Sequence, residues 1–232
     1  MHQHFDRLRL VALNIDGVLL NDTFSPVIGN FITSRGGVYD AGTERRILSQ
    51  PRRVAGVEMA RAAGLDVTGE QALELYFAER DRYVADHPVR PNPGAAELLR
   101  RVRDLGLRVV CYGGLSKPHF DTHLGAWSHL FDGPGYVCTD SFRPGIKEIA
   151  GDVFGLRLDE VLFVDDVARV AEAAKGLDVP FIGHPCSFQR TFMEELATRH
   201  IVDSLDAIDE ELLRTVDAEA AAGTIWRSPV PS

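Results

Sequence analysis

Five short apolar runs recur along the chain, each entered from polar or charged residues and most left through a polar or glycine-bearing turn. They are residues 8–13 (LRLVAL), 107–112 (LRVVCY), 136–139 (YVCT), 161–164 (VLFV) and 179–182 (VPFI). Runs this short and this apolar, bounded by turn signals, predict strands buried on both faces. Between them the period becomes helical. Residues 93–105 (PGAAELLRRVRDL) open on proline, bring Ala96, Leu99, Val102 and Leu105 near one side and stop at Gly106, a residue type that ends helices. Residues 145–154 and 167–177 repeat the pattern. Strand and helix in alternation predict an α/β fold, a Rossmann-like and mostly parallel sheet flanked by helices.

Residues 21–92 break the alternation, with helical stretches at 51–64 and 69–86 and no convincing strand. This predicts an α-helical cap inserted between the first and second strands, with Val89-Arg90-Pro91-Asn92-Pro93-Gly94 as a stiff return. The core is then expected over 1–20 and 93–222, the cap over 21–92, and a loose tail over 223–232. Residues 200–202 suggest an edge strand and 205–216 a last helix.

Composition narrows the class. At 232 residues and 45% hydrophobic content the chain has room for one large domain or a core with a smaller companion. The charge sum, 25 − 34 = −9, argues against a surface made for nucleic acid or anionic lipid. The positive charge comes from 22 Arg and only three Lys: Lys117, Lys147 and Lys175. Three cysteines, Cys111, Cys138 and Cys186, form neither a C-x-x-C motif nor an even disulfide set, which suits a reducing interior. With no signal-like N-terminus and no apolar run of about 18–20 residues, a soluble, cytoplasmic protein is expected, with a small-molecule partner rather than nucleic acid or membrane.

Ligands of parallel α/β sheets sit beyond the carboxyl ends of the strands. The residues there are Asn14, Asp16 and Gly17; Tyr112, Gly113 and Gly114; Asp140, Ser141 and Arg143; and Asp165 and Asp166. Each has an ordinary use, an aspartate as a helix cap or a Gly-Gly pair as a tight turn. Their convergence from different strands points to chemistry. Carboxylates gathered in one crevice repel unless a cation lies among them, and an all-oxygen set suits Mg²⁺. His119 and His123, four apart on a helix starting near Pro118, share a face, and His129 follows, but no third ligand completes a zinc site. His184 follows the fifth strand and could reach the crevice rim.

The stretches LVALNIDGVLLND, RVVCYGG, FRPGIKEIAGDVFGL and VLFVDDVARVAEAAKGL, in this order and with a helical insertion after the first, resemble the four motifs of the haloacid dehalogenase (HAD) superfamily. The resemblance implies phosphoryl transfer through an aspartyl-phosphate, with Mg²⁺ and a second aspartate as acid and base. It places the ion among Asp165 or Asp166, the Asn14 side-chain carbonyl and the Asp16 backbone carbonyl. Three departures stand out. Asn14 occupies the nucleophile's position, and a carboxamide has no anionic oxygen with which to attack phosphorus. Tyr112 stands in place of a Ser or Thr that would hold the phosphoryl group, leaving the Gly113 and Gly114 backbone as donors. The third motif's lysine position is Arg143, with Lys147 as the one available lysine, four residues later. Asp16, the second aspartate, is retained.

Three readings follow. The first is a HAD-like hydrolase acting on a small anionic metabolite without an aspartyl-phosphate, with Asp16 as acid or base, Asn14 orienting, and Arg143 or Lys147 anchoring the anion. The second is a catalytically silent binding or regulatory protein. The third is a Mg²⁺-dependent phosphatase carrying an Asp-to-Asn change at position 14.

Overall fold

The structure, a computed structural model of the chain, describes residues 4–227. Five parallel strands form one sheet in the order β3-β2-β1-β4-β5. They are β1 (Leu10–Asn14), β2 (Arg108–Gly113), β3 (Tyr136–Cys138), β4 (Val161–Asp165) and β5 (Phe181–Gly183). The chain builds outward from β1 on one side, then crosses to the other. The order therefore reverses beside β1, and such a reversal opens a crevice at the strands' carboxyl ends. The register puts Asn14 opposite Tyr112 and Leu13 opposite Val164, so the ends of β1, β2 and β4 lie together.

Side chains alternate across the sheet, as the period of two requires. Val11, Leu13, Val109, Cys111, Leu162 and Val164 enter the apolar cluster on one face. Leu10, Ala12, Val110, Tyr112, Val161 and Phe163 enter the other. Helices α5 (Ala95–Asp104), α6 (Lys117–Leu124) and α9 (Glu210–Ala222) cover the first face, and α7 (Ala168–Gly176) and α8 (Gln189–Glu195) the second.

Between β1 and β2 lie α1 (Ser25–Thr33), α2 (Ala41–Ile47), α3 (Arg52–Ala62) and α4 (Gly69–Asp86), with a separate apolar cluster around Val27, Phe31, Ile32, Met59 and Tyr76. The longest of them, α4, starts on a capping box in which Thr68 and Gln71 satisfy each other's backbone. The outgoing and returning crossings are paired. Asn21 N–H donates to the Arg90 carbonyl, Asn92 N–H to the Leu19 carbonyl, and the Asn92 amide to the carbonyls of Val18 and Leu20. No helix among the described residues is long and apolar enough to cross a membrane.

Several expected elements take a different form. The helix over 145–154 is a short π-helical stretch, Glu148–Val153. The last helix does not run from 205: a 3-10 turn at Leu205–Ala207 precedes α9, which starts where the Asp209 side chain accepts Leu212 N–H. The edge strand at 200–202 is reduced to a bridge between Ile201 and Gly183. The tail is not loose where it begins. Ile225 is buried, and the Trp226 indole donates to the Val179 carbonyl at 2.8 Å while packing on Phe181. Apolar burial ties down what its terminal position suggested would be free; residues 228–232 lie outside the described residues.

Candidate active site

β1 ends at Asn14, whose side-chain amide donates to the Asp16 backbone carbonyl and to Asp166 Oδ1, both at 2.8 Å. The other oxygen of Asp166 accepts the Cys186 thiol at 2.9 Å. Burial, then the charge of Asp165, raises the Asp166 carboxyl well above the ordinary carboxylate range. Gly17 makes this closeness possible: its φ is +91°, and a Cβ there would lie 2.1 Å from Asp166 Oδ2.

Asp165, the last residue of β4, faces away from the crevice. It is 1% exposed, accepts the Tyr112 hydroxyl at 2.6 Å on Oδ2 and Val167 N–H at 2.8 Å on Oδ1, and is pushed up to about 6 by burial. Tyr112 packs edge-on against Phe163. Its ring is buried in the apolar cluster on the second face of the sheet.

Asp16 lines the crevice, and its Oδ1 lies 2.9 Å from His119 Nε2. His119 comes from the first turn of α6 and meets His123 edge-on. Burial and the neighbouring His119 lower the His123 pKa. His184 turns to the Gly17 carbonyl at 3.0 Å and steadies the loop after β1.

Arg143 supplies the positive wall. Its guanidinium lies over Gly114, where a Cβ would come within 1.5 Å of it, and donates to Ser49 Oγ at 3.2 Å. Arg52 of α3 pairs with Asp140 at 3.3 Å and donates to the Gly114 carbonyl. These contacts carry the helical insertion over the strand ends. A second fastening is Glu44 of α2, which is buried and accepts Ser187 Oγ and Phe188 N–H from the loop after β5, Gln189 Nε2 from the start of α8, and Tyr39 Oη from its own layer. Between the layers lies a cavity of about 140 Å³.

Asn14, Asp16, Gly114, Arg143 and Asp166 all line this cavity; Tyr112, Gly113, Lys147 and Asp165 do not. Lys147 is exposed on the far side of the turn after Arg143, so of the two candidate cations only Arg143 faces the crevice. Sequence reasoning missed His119 as a partner of Asp16, Cys186 as a partner of Asp166, and the buried Arg80, which donates to Thr23 Oγ1 behind Asp22 and Phe24. For His119 a signal existed, because α6 starts just after β2 and its first turn must lie at the strand ends.

The donor set does not fit Mg²⁺ as it is arranged. Both oxygens of Asp165 and both of Asp166 accept hydrogen bonds from within the protein, and the Asn14 nitrogen points at the carboxylate and carbonyl that the resemblance would have share an ion. Among the described residues no three His, Cys, Asp or Glu side chains are grouped to hold a metal.

No protein-family profile matches the chain, and no curated protein matches it. Solved structures do. A HAD hydrolase of family IA, variant 3, from Entamoeba histolytica is 12% identical over 91% of this chain and 100% of its own, with a TM-score of 0.65. A CbbY variant from Rhodobacter sphaeroides in complex with xylulose-(1,5)bisphosphate is 15% identical over 85% and 95%, with a TM-score of 0.63. A HAD family hydrolase from Deinococcus radiodurans with bound phosphate and sodium is 17% identical over 93% and 97%, with a TM-score of 0.59. The chain thus has the fold of the HAD-family hydrolases.

Proposed function

We propose that the chain is a hydrolase-type enzyme that takes a small anionic ester, a phosphate monoester first, between the sheet and the insertion acting as its cap, and cleaves it with directly activated water. The observation that supports this most is the Asp16–His119 pair, 2.9 Å apart, at a cavity whose wall also carries Arg143. Asn14 offers no oxygen anion for an acyl phosphate, so water is the available nucleophile. Asp16, oriented by His119, takes a proton from water as its oxygen bonds to phosphorus and the ester P–O bond breaks. That proton then passes to the departing alkoxide. Arg143 meets the charge on the phosphoryl oxygens. The free thiols of Cys111, Cys138 and Cys186 support a cytoplasmic setting.

The test is Asp16→Asn, with the fold checked by circular dichroism. Loss of phosphate release from a panel of phosphate esters is expected, and undiminished turnover would remove Asp16 from the mechanism. One observation favours the silent-binder reading, the complete internal pairing of Asp165 and Asp166. A retained ligand with no turnover of any ester by the unaltered chain would decide for it.

A further inference from the structure

We infer that the groove between α3 and α4 of the insertion is an interface on which a second copy of this chain docks about a two-fold axis. Neither the ligand of the crevice nor the reaction carried out there bears on this.

The centre of the groove is apolar, with Val57 of α3, Leu65 and Val67 of the turn between the helices, and Leu73 and Phe77 of α4. Val57 is 44% exposed, and Val54, one turn earlier on α3, is 42% exposed. Leu65, Leu73 and Phe77 pack on the insertion's apolar cluster yet are only half-buried. Two branched aliphatic side chains left that far in water, beside a row of half-buried ones, forgo apolar burial that a docked surface would supply.

The rim selects the occupant. Arg53 of α3 and Glu70 and Glu74 of α4 line the groove, are exposed, and have no ion-pair partner among the described residues, whereas the neighbouring Arg52 and Arg61 are paired with Asp140 and Glu58. The free cation thus stands on one helix and the free anions on the other. A partner surface of one sign, such as a nucleic acid, an anionic membrane or an acidic peptide, would be attracted by one helix and repelled by the other. A second copy turned through a half-circle lays its α4 against α3 and its α3 against α4. Both contacts are then between unlike charges, because a two-fold interface makes every pairing twice. An apolar centre inside a charged rim is also the ordinary anatomy of such an interface.

The two helices offer a preformed face. They meet so closely that a Cβ on Gly56 would lie 2.2 Å from the Gly69 carbonyl oxygen, so no side chain separates them there. A face already ordered loses little freedom on association. Arg52, Leu73 and Phe77 line both this groove and the crevice, so a docked copy would bear on side chains of the crevice wall.

The experiment is sedimentation equilibrium of the full chain over a range of concentrations, with thermal melts checking that each variant folds. A reversible equilibrium between monomer and dimer in the micromolar range is expected. Val57→Glu, which puts a charge at the apolar centre, should raise the dissociation constant at least about tenfold. So should Arg53→Glu by itself, and Glu70→Arg combined with Glu74→Arg, since each sets like charges against each other at both symmetry-related contacts. Mixing these two charge-reversed variants in equal amounts should restore the dimer, because each subunit then meets the opposite sign at both contacts. A chain that stays monomeric up to about millimolar concentration overturns the inference, as does a dimer that none of the substitutions weakens. Charge-reversed variants that fold but do not pair with each other overturn the two-fold arrangement. A different protein held by the unaltered monomer and released by Val57→Glu would assign the groove to that partner and overturn self-association.

Discussion

The Asn14 amide nitrogen lies 2.8 Å from Asp166 Oδ1 and 2.8 Å from the Asp16 carbonyl, so one neutral side chain ties together two oxygens that would otherwise repel. An aspartate at the same position could not do this. It would present an acceptor to two acceptors, and only a cation could reconcile them.

Asn14→Asp should therefore create a requirement for a divalent ion. The variant is expected to melt below the unaltered protein in chelator and to regain several degrees in millimolar Mg²⁺, while the unaltered protein shows no Mg²⁺-dependent change. Differential scanning calorimetry with and without the ion checks it. A saturable Mg²⁺ effect on the unaltered chain refutes it, and Mg²⁺-dependent release from an aryl phosphate by the variant would support the aspartyl-phosphate reading.

Asp165 carries the clearest pH signature. Burial lifts its carboxyl from 3.8 to about 6, so the folded protein holds this proton more tightly than the unfolded chain. The contribution to stability is complete below about 3.8 and is lost as pH rises through about 6. Asp165→Asn keeps both hydrogen bonds if the Tyr112 hydroxyl changes from donor to acceptor. It should raise Tm at pH 7 relative to pH 4, when each is compared with the unaltered protein. An unchanged pH profile of Tm would place the titration elsewhere.

Glu44 gathers four donors in a buried position. Glu44→Ala leaves Tyr39, Ser187, Gln189 and the Phe188 amide without their acceptor, at a cost of about 3 kcal/mol. For a chain of this length that lowers Tm by roughly 6–12 °C. Proteolysis of the 184–189 loop should quicken in parallel, and a loop cut no faster than before would show that Glu44 does not hold it.

His119 is a positioning residue, since it touches Asp16 and does not line the cavity. His119→Ala should lower kcat about ten- to a hundredfold with little change in KM, and shift the pH dependence of kcat. His119→Gln, which can still donate to Asp16, should restore part of the rate. A fall in KM and kcat together, without a pH shift, would mean a structural role only.

The sheet was legible in the sequence because buried parallel strands leave short apolar runs, and all five observed strands overlap those runs. So was the set of residues at the strand ends. Their facing was not. In a strand buried on both sides the apolar pattern is the same for either face, so nothing marked Tyr112 and Asp165 as turning away from the crevice while Asn14 and Asp166 line it. Lys147 looked equivalent to Arg143 for a similar reason, since chain distance does not reveal which side of a turn faces inward. Glu44 acquires its role only when segments 143 residues apart are brought together, and Cys186 only when the loop after β5 returns to the end of β4, 20 residues earlier; no local pattern records either.

The paired crossings at Val18–Leu20 and Arg90–Asn92 give the helical layer a fixed axis on one side of the cavity, and Glu44 fastens it on the other. The arrangement is that of a door with a hinge and a latch. Separating the helical layer from the sheet while the crossings stay paired requires Glu44 to let go of Ser187, Phe188 and Gln189. The catch is a single buried carboxylate, so one side chain of the insertion decides whether its free edge stays joined to the segment after β5.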